Sequence, residues 1–290
     1  MDYLLLQIMA GIAKGMNIFL LSAGFTIIYG VLRVVNLAHP SLYLMAGYFA
    51  FSITQIFGSK IGFWAALVLA PIFSAIIGMI VERVVFRTVY NKHHYMQLLL
   101  GWGVMLILGD IMKLAWGVSP KSIPVPAILI GTVKVPGGSF PYTLIFAVFI
   151  SALMGLGVYL LMYRSRLGTL IRALSYDEQA TKALGVRVNL LWIFVFGFCS
   201  WLAGVGGTVA SLFTSIRLGA DQELVLICFI VVIVGGLGST IGALVGSLIF
   251  GIVFSLGIMV LPRYALVFMY VIMVVMLIIR PYGLFGKKIG

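Results

Sequence analysis

Long stretches without a single charged residue recur along this chain, and they constrain its fold more than any other feature. Val34–Ser59, Ile61–Val81, Val135–Tyr163, Val188–Ile216 and Leu224–Pro262 carry no Asp, Glu, Lys or Arg. A hydrocarbon layer ~30 Å thick takes about 20 helical residues to cross, and each stretch is long enough. In lipid every backbone amide and carbonyl must be paired within the chain, which leaves helices or a closed barrel. A barrel would show short alternating strands with polar lumen positions, and these are absent. Composition agrees: 63% of residues are hydrophobic and 9% charged, with a mean hydropathy of +1.21, where a soluble domain carries about a quarter charged residues. The expected fold is all-α and polytopic, a single transmembrane domain over residues 1–290 with about eight transmembrane helices.

A net charge of +12 could suggest nucleic acid, but in a membrane protein the position of charge matters more than its sum. The basic residues cluster at Arg83, Arg87 and Lys92; at Arg164, Arg166, Arg172, Lys182 and Arg187; and at Arg280, Lys287 and Lys288. The positive-inside rule makes these three segments cytoplasmic. No basic stripe interleaved with aromatics is present, so nucleic acid is not an expected partner. Cys199 and Cys228 lie in apolar segments without CxxC spacing and read as buried residues. The N-terminus lacks a basic region followed by a small-residue cleavage site, so residues 1–20 read as part of the first helix.

Three cytoplasmic anchors fix the path by parity. A first helix (3–34) enters from outside, a second (40–57) returns, a third (61–86) enters and a fourth (95–116) leaves. The loop 117–139, stiffened by Pro120, Pro124, Pro126 and Pro136, is then external. A fifth helix (140–163) enters, the basic loop 164–187 is cytoplasmic, and a sixth (188–215) leaves. If Leu224–Gly257 were one helix, the C-terminus would end outside, against its basic residues. The segment must therefore fold back, and "VIVGGLGSTIGALVG" supplies the place at Gly235, Gly236, Gly238 and Ser239, since glycine lowers helix propensity. Helices over 222–234 and 239–257 follow, then a last one from Pro262 to Arg280. The N-terminus is thus expected outside and the C-terminus in the cytoplasm.

The "NLAHP" stretch interrupts the first apolar region in the same way, at Asn36, His39 and Pro40. A shift of 199 positions lays Asn36 on Gly235 and suggests a weak internal repeat of transporter type. Broken helices cannot face lipid with unpaired backbone groups, so both breaks are expected beside a translocation path. His39 either hydrogen-bonds carbonyls freed by the break or contacts the solute.

The remaining chemistry separates function classes. The only Gly-Lys pair, Gly286-Lys287, is followed by Lys288 and not by Ser or Thr, so no P-loop is present and the chain carries no ATP site of that type. Driving energy then comes from a partner or an ion gradient. An ion-coupled secondary transporter or channel needs membrane-embedded carboxylates; Asp110 is the candidate, with Lys113 three residues on as a structural partner. His39, His93 and His94 form no HExxH, and no Cys/His cluster or Ser-His-Asp set is evident, so enzymatic and metal chemistry are not expected. Small-residue rows at Gly11 and Gly15, at Ala203 and Gly207, and at Gly238, Gly242 and Gly246 permit close helix packing, within the chain or with a partner. Externally, Lys121, Lys134, Arg217, Asp221 and Glu223 are either solvated loop charges or a surface that docks a binding protein. "RALSYDEQATKALGV" reads as a short amphipathic helix closed by Gly185, either a solvated connector or a peg seated on a cytoplasmic motor.

Together these stretches resemble the high-affinity branched-chain amino acid ABC transporter permeases. "RALSYDEQATKALGV" is similar to that family's cytoplasmic signature loop, "NLAHP" to its Asn-x-Ala-His-Gly segment, and "VIVGGLGSTIGALVG" to its glycine-rich segment. "RPYGLFGKK" resembles its C-terminal Arg-Pro-x-Gly-Leu-Phe-Gly ending, so four ordered motifs span residues 24–288. The resemblance implies a permease subunit of an importer for branched-chain or other small hydrophobic amino acids. It would pair with a second related permease, with two ATPases that hold the ATP and magnesium, and with an extracytoplasmic substrate-binding protein. It places Arg172, Asp177, Glu178, Ala183 and Gly185 in the ATPase-docking loop. Two positions depart from the family pattern: Pro40 replaces a glycine, and Thr181 an alanine.

Overall fold

The structure, a computed structural model, describes residues 2–90, 92–135 and 137–286, without the side chains of Asp2 and His94. Pro136, Lys287 and Lys288 lie outside the described residues. Ten α-helices follow one another: α1 (Asp2–Leu32), α2 (His39–Val84), α3 (His94–Trp116), α4 (Tyr142–Arg164), α5 (Arg166–Tyr176), α6 (Glu178–Ala183), α7 (Val188–Ala210), α8 (Ala220–Gly235), α9 (Thr240–Val260) and α10 (Ala265–Ile279). Among the described residues, seven candidate spans are long and apolar enough to cross a membrane. One of them, α2 with the short 3₁₀ turn after it, is two crossings, because Gly58 takes φ 72° and ψ 176° and folds residues 39–57 back from 59–84. Counted separately, the two arms bring the number to eight. This is an all-α, multi-pass membrane protein. Among the described residues the one sheet is a small pair of antiparallel strands, β1 (Thr132–Val135) and β2 (Gly138–Pro141), in the loop that the sequence leaves irregular.

Small residues let the helices close on one another. A Cβ on Gly207 of α7 would strike the Tyr43 carbonyl of α2, one on Gly204 would lie 2.8 Å from Pro71 Cα, and one on Gly197 would lie 2.7 Å from Met79 Cγ. Helix α7 thus runs along both arms of α2. A Cβ on Gly11 would come within 2.7 Å of Ile252 Cα, and one on Gly15 within 2.6 Å of the Ser247 carbonyl, which seats α1 against α9. Gly242 and Gly246 are pressed against the backbone of α8. Of the small-residue rows, Gly11, Gly15, Gly207, Gly242 and Gly246 therefore face neighbours within this chain.

The bundle has two distinguishable ends. At one, Tyr90 meets Trp192, the Tyr163 and Thr240 hydroxyls lie 3.3 Å apart, and residues 284–285 bond to the end of α8. This basic end gathers Arg83, Arg87, Arg164, Arg187 and Arg280 from the three clusters. At the opposite end, Lys121 pairs with Ile216 in a β-bridge, and Trp116 donates to Ser52 at 2.7 Å. The helix–break–helix order recurs, as α1 and α2 and again as α8 and α9. Helix α1 has 31 residues and α8 only 16, so the repeat is one of order and not of length.

Candidate functional site

The first break occupies residues 33–38, and its Asn36 and Ala38 are buried together with His39, the first residue of α2. Its geometry rests on Asn36, whose side-chain oxygen accepts from the Ala38 amide at 3.0 Å while its carbonyl accepts from the His39 amide at 3.2 Å. This asparagine turn supplies partners that a helix start otherwise lacks. Pro40 falls in the first turn of α2, where an amide would have no intrahelical acceptor, so nothing is lost by its presence. His39 is wholly buried against Gly24 and Phe25, with the Leu21 carbonyl facing its ring, yet neither ring nitrogen completes a hydrogen bond. Asn36 fastens the break through its own turn, and the carbonyl nearest the His39 ring is that of Leu21 within α1. Thr26 Oγ1 and Asn36 Nδ2 are likewise buried without partners, so polar capacity is left unspent around the break.

Below it a polar spine crosses the bundle. Tyr43 donates to Asn17 Oδ1 at 2.7 Å, and Asn17 Nδ2 donates to the Gly206 carbonyl at 3.0 Å, linking α2, α1 and α7. Ser74 Oγ lies 3.1 Å from the carbonyls of both Leu42 and Ser200. Ser41 donates to Asp221 Oδ2 at 2.7 Å, joining the start of α2 to the first turn of α8. Asp221 is only 4% exposed, which removes it from the external charged patch assigned by sequence. Among the described residues the buried carboxylates are Asp221 and Glu82; Asp110 and Lys113 face outward on α3 and form no ion pair, which corrects their expected pairing. Sequence reasoning passed over Glu82, which adjoins a basic cluster, and placed Asp221 with the loop charges beside it. It also passed over Lys14, whose Nζ sits 3.5 Å from the centre of the Phe254 ring.

The second break spans 236–239, with Gly236 at φ 105° and Gly238 at φ 80°, and Gly238 packs 3.2 Å from the Cβ position of Gly30. Ser239 caps α9 by accepting from the Gly242 amide at 3.0 Å. The carbonyls released at the end of α8 are taken up by the C-terminal segment: Leu284 N donates to Val234 O and Phe285 N to Gly235 O, each at 3.0 Å. Gly283 and Gly286 approach Gly236 so closely that a side chain on any of the three would collide with backbone. The glycine break and the "RPYGLFG" ending are thus two halves of one joint, a pairing of motifs that the sequence reading did not make.

The loop 164–187 forms an elbow of two helices, α5 and α6, not one amphipathic helix. Asp177 is the hinge, its carboxylate accepting from the Ala180 amide at 2.9 Å to cap α6. Arg172 turns inward, donating to the Met162 carbonyl and lying 5.8 Å from the Tyr163 ring centre, so it anchors the elbow and leaves the projecting face to others. Thr181 is buried, with its hydroxyl on the Asp177 carbonyl at 2.7 Å, so the departure at this position faces the chain's own interior. Glu178 pairs with Lys182 along α6. Ala183 and Gly185 are exposed, Gly185 at φ 79°. Tyr176 and Leu184 project at 83% and 80% exposure.

At the opposite end, Arg217 and Glu223 form an exposed ion pair at 2.6 Å. Lys121 Nζ is 3.0 Å from Ser119 Oγ and 5.6 Å from the Phe51 ring centre, while Lys134 is exposed on β1. Near the basic end, Tyr90 donates to Glu82 Oε1 at 2.9 Å; burial, and then the Glu82 charge, push its phenol above the ordinary range and keep it a donor.

Eight membrane-length helices among the described residues, one break held by an asparagine turn and another sealed by the C-terminal segment, and a buried polar spine define a polytopic membrane protein with interrupted helices. Residues 7–277 match the family described as the permease component of the branched-chain amino acid transport system, and the chain belongs to that family. It is 27% identical over 292 residues to the high-affinity branched-chain amino acid transport system permease protein BraD of Pseudomonas aeruginosa, covering 97% of this chain and 95% of BraD. It is 25% identical over 303 residues to the corresponding permease protein LivH of Escherichia coli K12, covering 98% and 96%.

Proposed function

We propose that this chain is the transmembrane subunit of an ATP-binding-cassette importer that carries branched-chain or other small hydrophobic amino acids into the cytoplasm by alternating access. The observation that carries the proposal is the elbow. A segment without a partner seldom exposes both Tyr176 and Leu184 on a capped, internally anchored turn. Such a knob, held by Arg172 and Thr181, suits a groove on an ATPase. The basic end is then cytoplasmic by the positive-inside rule, the C-terminus lies there, and the N-terminus lies outside. ATP and magnesium belong to two ATPase partners. A second related permease completes the membrane unit, and an extracytoplasmic binding protein docks near Arg217, Glu223, Lys121 and Lys134. Solute passes along the polar spine, with the breaks at Asn36–Pro40 and Gly235–Ser239 as the points where helices reorient.

Isolated in mild detergent from its own membrane, the tagged chain should emerge with a related permease and ATPase subunits. ATP hydrolysis by that assembly should rise on adding the binding protein with leucine. Two buried carboxylates, Asp221 and Glu82, favour a second reading, an ion-coupled carrier. A chain recovered alone that moves leucine down an ion gradient would establish that reading instead.

A further inference from the structure

Glu82 is a fully buried carboxylate in the second arm of α2, and nothing in the transport scheme above uses it. Its Oε1 accepts from Tyr90 at 2.9 Å, while its Oε2 is buried without a partner. A buried carboxyl group whose one hydrogen bond is to Tyr90, with Arg83 and Arg87 as the nearby cations, is costly to leave unpaired, so this contact has a large stake in its own geometry. Tyr90 is fixed in turn. Its ring meets Trp192 edge to face at 4.7 Å between centres, and the Gln97 side-chain amide lies within 3.4 Å of its carbonyl and 3.1 Å of the Val89 carbonyl. One turn along α7 from Trp192, Phe196 packs on the buried Phe86 at 5.4 Å. On its other side Trp192 lies 5.9 Å from Lys182 Nζ, and Lys182 pairs with Glu178 on α6.

We propose that Glu82 and Tyr90 are positioning residues that lock the basic end of α2 to the first turns of α7, so that a displacement of the α5–α6 elbow moves both helices together. The path is continuous in named contacts: α6 through Lys182 to Trp192, Trp192 to Tyr90, and Tyr90 to Glu82 on α2. From there α7 grips α2 at Met79, Pro71 and Tyr43, the last of these beside the first break. Without the Tyr90 bond, only the contacts further along α7 would couple it to α2, and less of the elbow's displacement would reach the break.

This inference rests on the proposed ATPase coupling, and the test separates the two. Wild type, Tyr90→Phe, Glu82→Gln and Glu82→Leu are each assembled with both ATPases, the second permease and the binding protein in liposomes. ATP hydrolysis and leucine uptake are measured on the same preparations. Tyr90→Phe and Glu82→Leu should lower uptake per ATP by about tenfold, the factor set by losing one buried hydrogen bond. Hydrolysis stimulated by the binding protein should stay near the wild-type rate. Glu82→Gln, which keeps an acceptor for Tyr90, should retain most of the wild-type ratio. A proportional fall of hydrolysis and uptake would mark a general structural fault and overturn the inference, as would an unchanged ratio in Tyr90→Phe or failure of Glu82→Gln to rescue. Wild-type uptake unlinked from hydrolysis would overturn the coupling role and this inference with it.

Discussion

Truncation after Tyr282 tests whether the C-terminal segment closes the second break. It removes the amides of Leu284 and Phe285 from the buried carbonyls of Val234 and Gly235. A buried group left unpaired costs about 1–3 kcal/mol, so the pair is worth about 2–6 kcal/mol. Leu284 also packs against the cluster around Phe250 and Met269, and losing its partly buried side chain adds about 1 kcal/mol. Gly283→Ala offers an independent route to the same joint. Gly283 has φ 73°, and its Cβ would lie 2.6 Å from Gly236 Cα and from the Ile233 carbonyl, so the segment would be pushed off without being deleted. Equilibrium unfolding in mixed micelles, followed by helical circular dichroism, should show both variants destabilised, the truncation by at least about 2 kcal/mol. A cysteine introduced at the half-exposed Leu237 should react faster with a polar maleimide in both. A truncation within about 0.5 kcal/mol of wild type, the range of neutral surface changes, with unchanged Leu237→Cys labelling, would refute the joint.

Three further outcomes follow from the same packing and charges. Gly207→Leu should cost more than about 3 kcal/mol and abolish membrane expression, because the side chain would enter the Tyr43 carbonyl; normal yield and melting would deny the α2–α7 contact. Leu184→Asp should leave melting unchanged, given its 80% exposure, while ATPase subunits fail to co-isolate with the chain; retained co-isolation would remove the elbow from the interface. Reversing Arg217 and Glu223 singly, to Glu and Arg, should weaken binding-protein association in a salt-sensitive way, and the double reversal should restore part of it. Equal association for all three at low salt, measured by surface plasmon resonance, would show these to be solvated rim charges.

Much of this architecture was legible because membrane burial leaves so plain a signature. Charge-free runs locate the helices, the glycine cluster marks the second break, and parity against the basic clusters required the fold-back there; the reversal at Gly58 carries no comparable signal. Side-chain partnerships were less legible, since they depend on which helix faces meet. Asp221 looks like loop charge beside Arg217, yet the first turn of α8 carries it inward to Ser41. Asp110 and Lys113 are spaced to pair, yet both point away from the bundle without an ion pair between them. Arg172 sits in a basic loop with four other cations, and only the bend between α4 and α5 shows that its donor is spent on the Met162 carbonyl. The union of "RPYGLFG" with the glycine break joins segments some fifty residues apart through backbone amides, which no side-chain pattern encodes.

The central claim is that this chain moves branched-chain amino acids only when partner ATPases drive it. The direct measurement is uptake of labelled leucine into liposomes holding the chain with its related permease, both ATPases and the external binding protein. With ATP and magnesium enclosed on the ATPase side, leucine should accumulate against its gradient; with a non-hydrolysable analogue, or without the ATPases, it should not. Accumulation by the chain without any ATPase, sustained by a proton or sodium gradient, would contradict the account.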